Sequence, residues 1–121
     1  KEFNPDFALF QEVDTDSTRS YNVNQHKMIT DEMSDYASVF AVNFHSAHLL
    51  YPFHDPIGQI DSGIATYSKY RIESSVRKKF TITNHVINKL FDLDRCFSAS
   101  YLPIDNSDNY LVLINIHMSA L

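Results

Sequence analysis

One cysteine, two glycines, four prolines and no tryptophan are what this 121-residue chain has least of, and each scarcity removes options. With Cys96 alone, no internal disulfide can close and no cysteine-built zinc site of the four-ligand kind can form. The residues around it, Asp94-Arg95-Cys96-Phe97-Ser98-Ala99-Ser100-Tyr101, read as a strand, which makes the thiol a small buried hydrophobe. Scarce glycine and proline, with no repeat or low-complexity tract, describe one continuous domain or part of one. No run approaches 18 apolar residues, so no segment reads as a membrane span. The N-terminus, Lys1-Glu2-Phe3-Asn4-Pro5, carries neither an initiator methionine nor a leader pattern, which points to a processed product or an excised piece. A cytoplasmic location is favoured, and secretion stays open because the native start is not seen.

A basic excess is also missing. The net charge of -5 argues against a broad surface for nucleic-acid backbone. Lys69, Arg71, Arg77, Lys78 and Lys79 form a local patch able to meet a phosphate, although a solvated strand face is the simpler reading.

What is present suffices for a core: 44% of residues are hydrophobic and 13% aromatic. Residues 6–13 read as a buried, central strand. Asp16-Ser17-Thr18 offers N-cap residues for a helix running to about Met33, with Val23, Asn24 and Thr30 as weak helix formers. Residues 36–44 and 62–68 read as strands, and 72–82 as the antiparallel hairpin partner of 62–68 across a turn at Lys69-Tyr70. Residues 83–94 fit a loop or a single helical turn. Residues 95–104 and 110–118 flank Asp105-Asn106-Ser107-Asp108-Asn109, a strong turn composition that makes them a second hairpin. The tally is about six strands and one good helix, an α+β chain with a mostly antiparallel or mixed sheet.

Two strand ends carry polar groups that an apolar layer cannot absorb without partners. Phe7-Ala8-Leu9-Phe10 leads into Gln11-Glu12, and Leu111-Val112-Leu113-Ile114 leads into Asn115 and His117, which are two apart and share a face. An acidic residue at such a place wants a cation.

Three blocks in order then carry a resemblance: Pro5-Asp6-Phe7-Ala8-Leu9-Phe10-Gln11-Glu12-Val13, Ser62-Gly63-Ile64-Ala65-Thr66-Tyr67-Ser68-Lys69-Tyr70-Arg71-Ile72, and Leu113-Ile114-Asn115-Ile116-His117-Met118-Ser119-Ala120. Together they resemble the N-terminal portion of the endonuclease/exonuclease/phosphatase superfamily, the deoxyribonuclease I-like fold, a four-layer αββα sandwich. The resemblance implies a hydrolase of phosphate esters in which Glu12 binds Mg²⁺, or Mn²⁺, beside the scissile phosphate. His117 matches an Asn-x-His position at which an imidazole donates to phosphate oxygens. Asn115 would position His117 or a ligand water, or serve as a structural amide. Some relatives have an acidic residue just before the glycine of the second block; here Ser62 stands there, and Asp61 is the nearest candidate. Gly63 reads as a close backbone approach, and Gln11 as a sheet-edge hydrogen bond.

His45, His48 and His54 show no spacing of a closed zinc site. Tyr51, Phe53 and His54 read instead as an aromatic loop at the mouth of the site, able to stack on a base, a sugar or a lipid headgroup, or else pinning the loop to the core. The substrate is thus a nucleic acid, a phospholipid headgroup or a sugar or inositol phosphate. The family's remaining parts, an Asn on a first strand, a Gly-Asp-Phe-Asn and a Ser-Asp-His, do not occur in these residues. The chain accordingly corresponds to about the first half of the fold, inactive alone, with its inner sheet face uncovered and prone to self-association. A non-catalytic binding module that keeps the fold is the alternative.

Overall fold

Strands dominate the computed structural model, which describes residues 3–49, 58–80 and 96–118 and places side chains over 3–43, 60–80 and 96–118. β1 (Phe7–Asp14), β2 (Ala37–Leu49) and β3 (Gly58–Ser68) form one antiparallel sheet in the order β1-β3-β2. β4 (Ser74–Lys79), β5 (Cys96–Pro103) and β6 (Tyr110–Ile116) form a second, in the order β4-β5-β6. One α-helix among the described residues, α1 (Gln25–Glu32), completes an α+β architecture.

The alternation of side chains along β3 explains the layering. Ala65 and Tyr67 face one way, into a cluster with Val13 on which Phe10, Ile29, Met33 and Phe40 pack, so α1 covers that face. Ile64 faces the other way and meets Ala41 and Cys96, joining the two sheets. β3 is therefore central and buried on both sides, whereas β1 pairs only with β3 among the described strands and is half-buried. The expected central role of residues 6–13 passes to residues 62–68.

Between the sheets the layer is unusually polar. Asn43, Ser62, Thr66, Ser68, Ser98, Ser100 and Asn115 are all buried. Bonds cross from sheet to sheet here: the Cys96 amide donates to Asn43 Oδ1 at 2.9 Å, and Arg77 Nε donates to the Val42 carbonyl at 2.9 Å. Arg77 is thus tied to the first sheet, while all six residues of β4 are exposed, in keeping with a solvated strand. Cys96 itself is fully buried.

Two expectations about local structure are corrected. The helix anticipated from residue 16 is broken, because Tyr21 and Asn22 turn left-handed at φ 53 and 58 after a single 3₁₀ turn at Thr18–Ser20. Ser17 caps nothing with its side chain: it is buried, and its hydroxyl bonds both the carbonyl and the amide of Asp61 at 3.1 and 3.0 Å. Asn24 caps α1 instead, accepting from the Lys27 amide at 2.7 Å. Likewise the expected pairing of residues 62–68 with 72–82 is not formed by the described part of the second run, residues 72–80. The chain leaves the first sheet at Ser68, and β4 pairs with β5, from Ser74 opposite Tyr101 to Lys79 opposite Cys96. The other expected hairpin forms, with Phe97 opposite Ile116 and Pro103 opposite Tyr110.

The uncovered face also differs from expectation. The inner faces of the two sheets pack on each other, and the apolar exposure lies on the opposite face of the second sheet, where Val76, Val112, Ile114 and Ile116 are open among the described residues. Residues 83–94, expected to form a loop or a single helical turn, lie outside the described residues.

Candidate functional site

Pairing between β1 and β3 is regular from Phe7 to Phe10 and then slips, with Phe10 opposite Ala65 but Val13 opposite Gly63. Gln11 and Glu12 together oppose the single residue Ile64, a bulge, and Glu12 takes φ 55 to make it. For a side chain with a Cβ this left-handed conformation is unfavourable by roughly 1–2 kcal/mol, so its surroundings must hold it in place. β2 slips at the same level, between Val42 and Phe44, on the other side of Gly63. Gly63 is required there, since a Cβ would stand 2.5 Å from both the Ala41 carbonyl and the Phe40 ring. The close approach expected at Gly63 is present.

The bulge turns the Glu12 carboxylate outward at the sheet end, and β6 delivers His117 just beyond its last paired residue. Glu12 Oε1 and His117 Nε2 stand 3.6 Å apart, an ion pair whenever the imidazole is protonated. Glu12 is open to solvent at 62% of its side-chain surface, and His117 is more sheltered at 28%. The two strand ends singled out in the sequence therefore meet, although they belong to different sheets.

Asn115 is completely buried behind this pair. Its Nδ2 donates to the carbonyls of Ala65 at 3.0 Å and Phe10 at 3.2 Å, with the Thr66 hydroxyl at 3.3 Å. Its Oδ1 accepts from Gln11 Nε2 at 2.9 Å. Both ends of the amide are thus engaged by protein, which suits positioning rather than contact with a ligand water. Gln11 bonds a side chain of the facing sheet, not its own sheet edge.

Downstream of the bulge, Asp14 is buried and takes a forked ion pair from Arg19, Nη2 to Oδ1 at 2.7 Å and Nε to Oδ2 at 3.0 Å. That hydrogen bond raises the Arg19 pKa above its ordinary value, with the charges of Asp14 and Glu12 adding to the effect and burial opposing it. The Asp14 amide donates to Gln25 Oε1 at 3.1 Å, fastening the strand to α1. Sequence reasoning missed this pair; the spacing Asp14 to Arg19 carries no motif.

Asp61 sits in β3, and its described contacts are backbone bonds to Thr15, Asp16 and Ser17. The side chains of His45 and His48, and the whole of Tyr51, Phe53 and His54, lie outside the described residues. Among the described residues no cluster of three or more His, Cys, Asp or Glu groups gathers in a way that would cage a metal.

No protein-family model, curated protein or solved structure matches this chain.

Proposed function

We propose that this chain belongs to a Mg²⁺-dependent hydrolase of phosphate esters with a deoxyribonuclease I-like arrangement, in which Glu12 and His117 face the scissile phosphate. The observation that carries the reading is the meeting of these two side chains at 3.6 Å, from opposite ends of the chain and from different sheets. The order of layers adds support, since a helix, a sheet and a second sheet follow one another as do three of the four layers of an αββα sandwich.

The donor set fits the cation. Mg²⁺ is usually held by one or two carboxylates, with waters and substrate oxygens completing its octahedron, and a single solvent-facing Glu12 carboxylate is a donor of that kind. When bound, the ion would neutralise charge on the phosphate. His117 would donate a hydrogen bond from a ring N–H to a phosphate oxygen and stabilise the charge that develops there. Asn115, through its two carbonyl bonds, would keep β6 from sliding as this happens. The resemblance places the remaining phosphate-contacting groups in motifs that these 121 residues do not contain, so hydrolysis is proposed for the full-length protein.

The test is a panel of phosphodiesters and monoesters offered to purified full-length protein with Mg²⁺ or Mn²⁺. Hydrolysis that needs the ion and falls by about 10²-fold or more in both Glu12→Gln and His117→Ala supports the reading. Full activity in Glu12→Gln, or no hydrolysis of any ester by wild type, overturns it; in the second case a non-catalytic binding module remains.

A further inference from the structure

We propose that Gln11, acting through Asn115, is a positioning residue that sets the separation of Glu12 and His117. The proposal rests on the reading of that pair as the reacting site, and it explains why an amide, rather than an acid, stands at position 11.

The bulge detaches Gln11 and Glu12 from the ladder, so nothing in the β1–β3 pairing fixes where Glu12 points. Asn115 compensates from the other sheet. Its Nδ2 must face the Phe10 and Ala65 carbonyls, the last regular pair before the bulge, and this obliges its Oδ1 to face Gln11. A buried carbonyl oxygen so oriented needs a donor, and Gln11 Nε2 supplies it at 2.9 Å. A carboxylate at position 11 would present acceptor to acceptor. The residue is on the surface, yet its side chain ends on a fully buried partner.

The geometry then links the two reacting groups by the shortest covalent routes available. Glu12 is the neighbour of Gln11, and His117 follows Asn115 by two residues, just past the end of β6, so the Gln11–Asn115 bond closes a small ring of chain around the Glu12–His117 contact. Gln11 touches neither phosphate nor metal in this arrangement.

The experiment uses the full-length protein and the variants Gln11→Glu and Gln11→Met, with bis(p-nitrophenyl) phosphate and Mg²⁺ as probe. Because position 11 is exposed, both variants keep the fold, which the amide spectrum verifies. The expected result is a kcat lowered on the order of 10-fold or more with KM within twofold, since displacement by about 1 Å can lower rates up to 10²-fold. A nuclear Overhauser contact between the Glu12 methylene and the His117 ring, present in wild type, is expected to vanish in both variants. A purely structural role would lower thermal stability while leaving that contact and kcat in place, and such a result overturns the proposal, as does a persisting contact alongside lowered kcat. Should the wild type hydrolyse nothing, the functional reading fails by itself and the Overhauser contact alone decides: loss in both variants supports the positioning role, and persistence in either overturns it.

Discussion

Replacing Arg19 with methionine is expected to damage this protein more than neutralising its partner Asp14. The Asp14 side chain is 4% exposed and its described ion-pair partner is the Arg19 guanidinium, whereas Arg19 is itself 38% exposed. Arg19→Met therefore leaves a carboxylate buried without its cation, a situation that destabilises by about 3–5 kcal/mol when both partners are fully enclosed. Partial access of water beside Arg19 moves the expectation to the lower end, about 2–3 kcal/mol. Asp14→Asn is milder, about 1 kcal/mol, because the exposed guanidinium rehydrates and the amide oxygen still accepts from it. The double variant Arg19→Met/Asp14→Leu should recover most of the loss, since no charge is then stranded. With about 4 °C per kcal/mol for a domain of this size, Arg19→Met lowers Tm by roughly 10 °C. Urea unfolding followed by circular dichroism and by tyrosine emission reads all three, as the chain has seven tyrosines and no tryptophan. An Arg19→Met variant within about 0.5 kcal/mol of wild type, the error of the method, or one more stable than Asp14→Asn, would refute the reasoning.

Gly63→Ala should cost about 1–3 kcal/mol in the same assay, because its Cβ would press on the Ala41 carbonyl, which cannot swing aside as a side chain can. Glu12→Gly should raise Tm by a few degrees while removing Mg²⁺-dependent hydrolysis, as glycine takes φ 55 without strain; a lower Tm contradicts the claim that the bulge is held against its own preference. Burial lowers the pKa of His26, whose ring lies 4.3 Å from that of Phe40. The unfolded chain therefore takes up that proton first, so this residue makes stability decline as pH falls through about 6.5, and His26→Gln should flatten the decline in pH-dependent melts.

How far the sequence could be read depended on whether the determining forces were local. The hairpin of β5 and β6 was legible because residues 105–109 are turn formers between two alternating runs, and Asn106 does adopt a left-handed φ of 56. That residues 62–68 form a strand was legible, but that β3 rather than β1 is the central one was not, since its serines and threonine give it less apolar content than residues 7–10. The partner of β4 was not, since an exposed strand carries little patterning to say which sheet it joins. The break at Tyr21 and Asn22 was hidden as well, because it follows from the anchoring of Ser17 to Asp61, a contact spanning 44 residues. At the site, the residues Glu12 and His117 were visible as polar groups ending apolar strands, and their meeting is observed. The bulge that aims Glu12, the double engagement of Asn115 and the Arg19 pair were not visible, for each is set by a facing sheet or helix rather than by neighbours in sequence.

The serine- and asparagine-lined layer between the two sheets has a kinetic consequence. Hydrocarbon faces tolerate many near-equivalent dockings, but here a shift of one residue would break the bonds that Asn43 and Asn115 make across the sheets, so the sheets have essentially one way to seat. Each sheet can assemble by itself through pairings of shorter span, the first sheet's widest being Phe7 opposite Ser68, while the Glu12–His117 contact joins positions more than a hundred residues apart and can arise only once seating is complete. Recovery of that contact during refolding is therefore a clock for the last event in the folding of this chain, distinguishable from the earlier growth of strand signal.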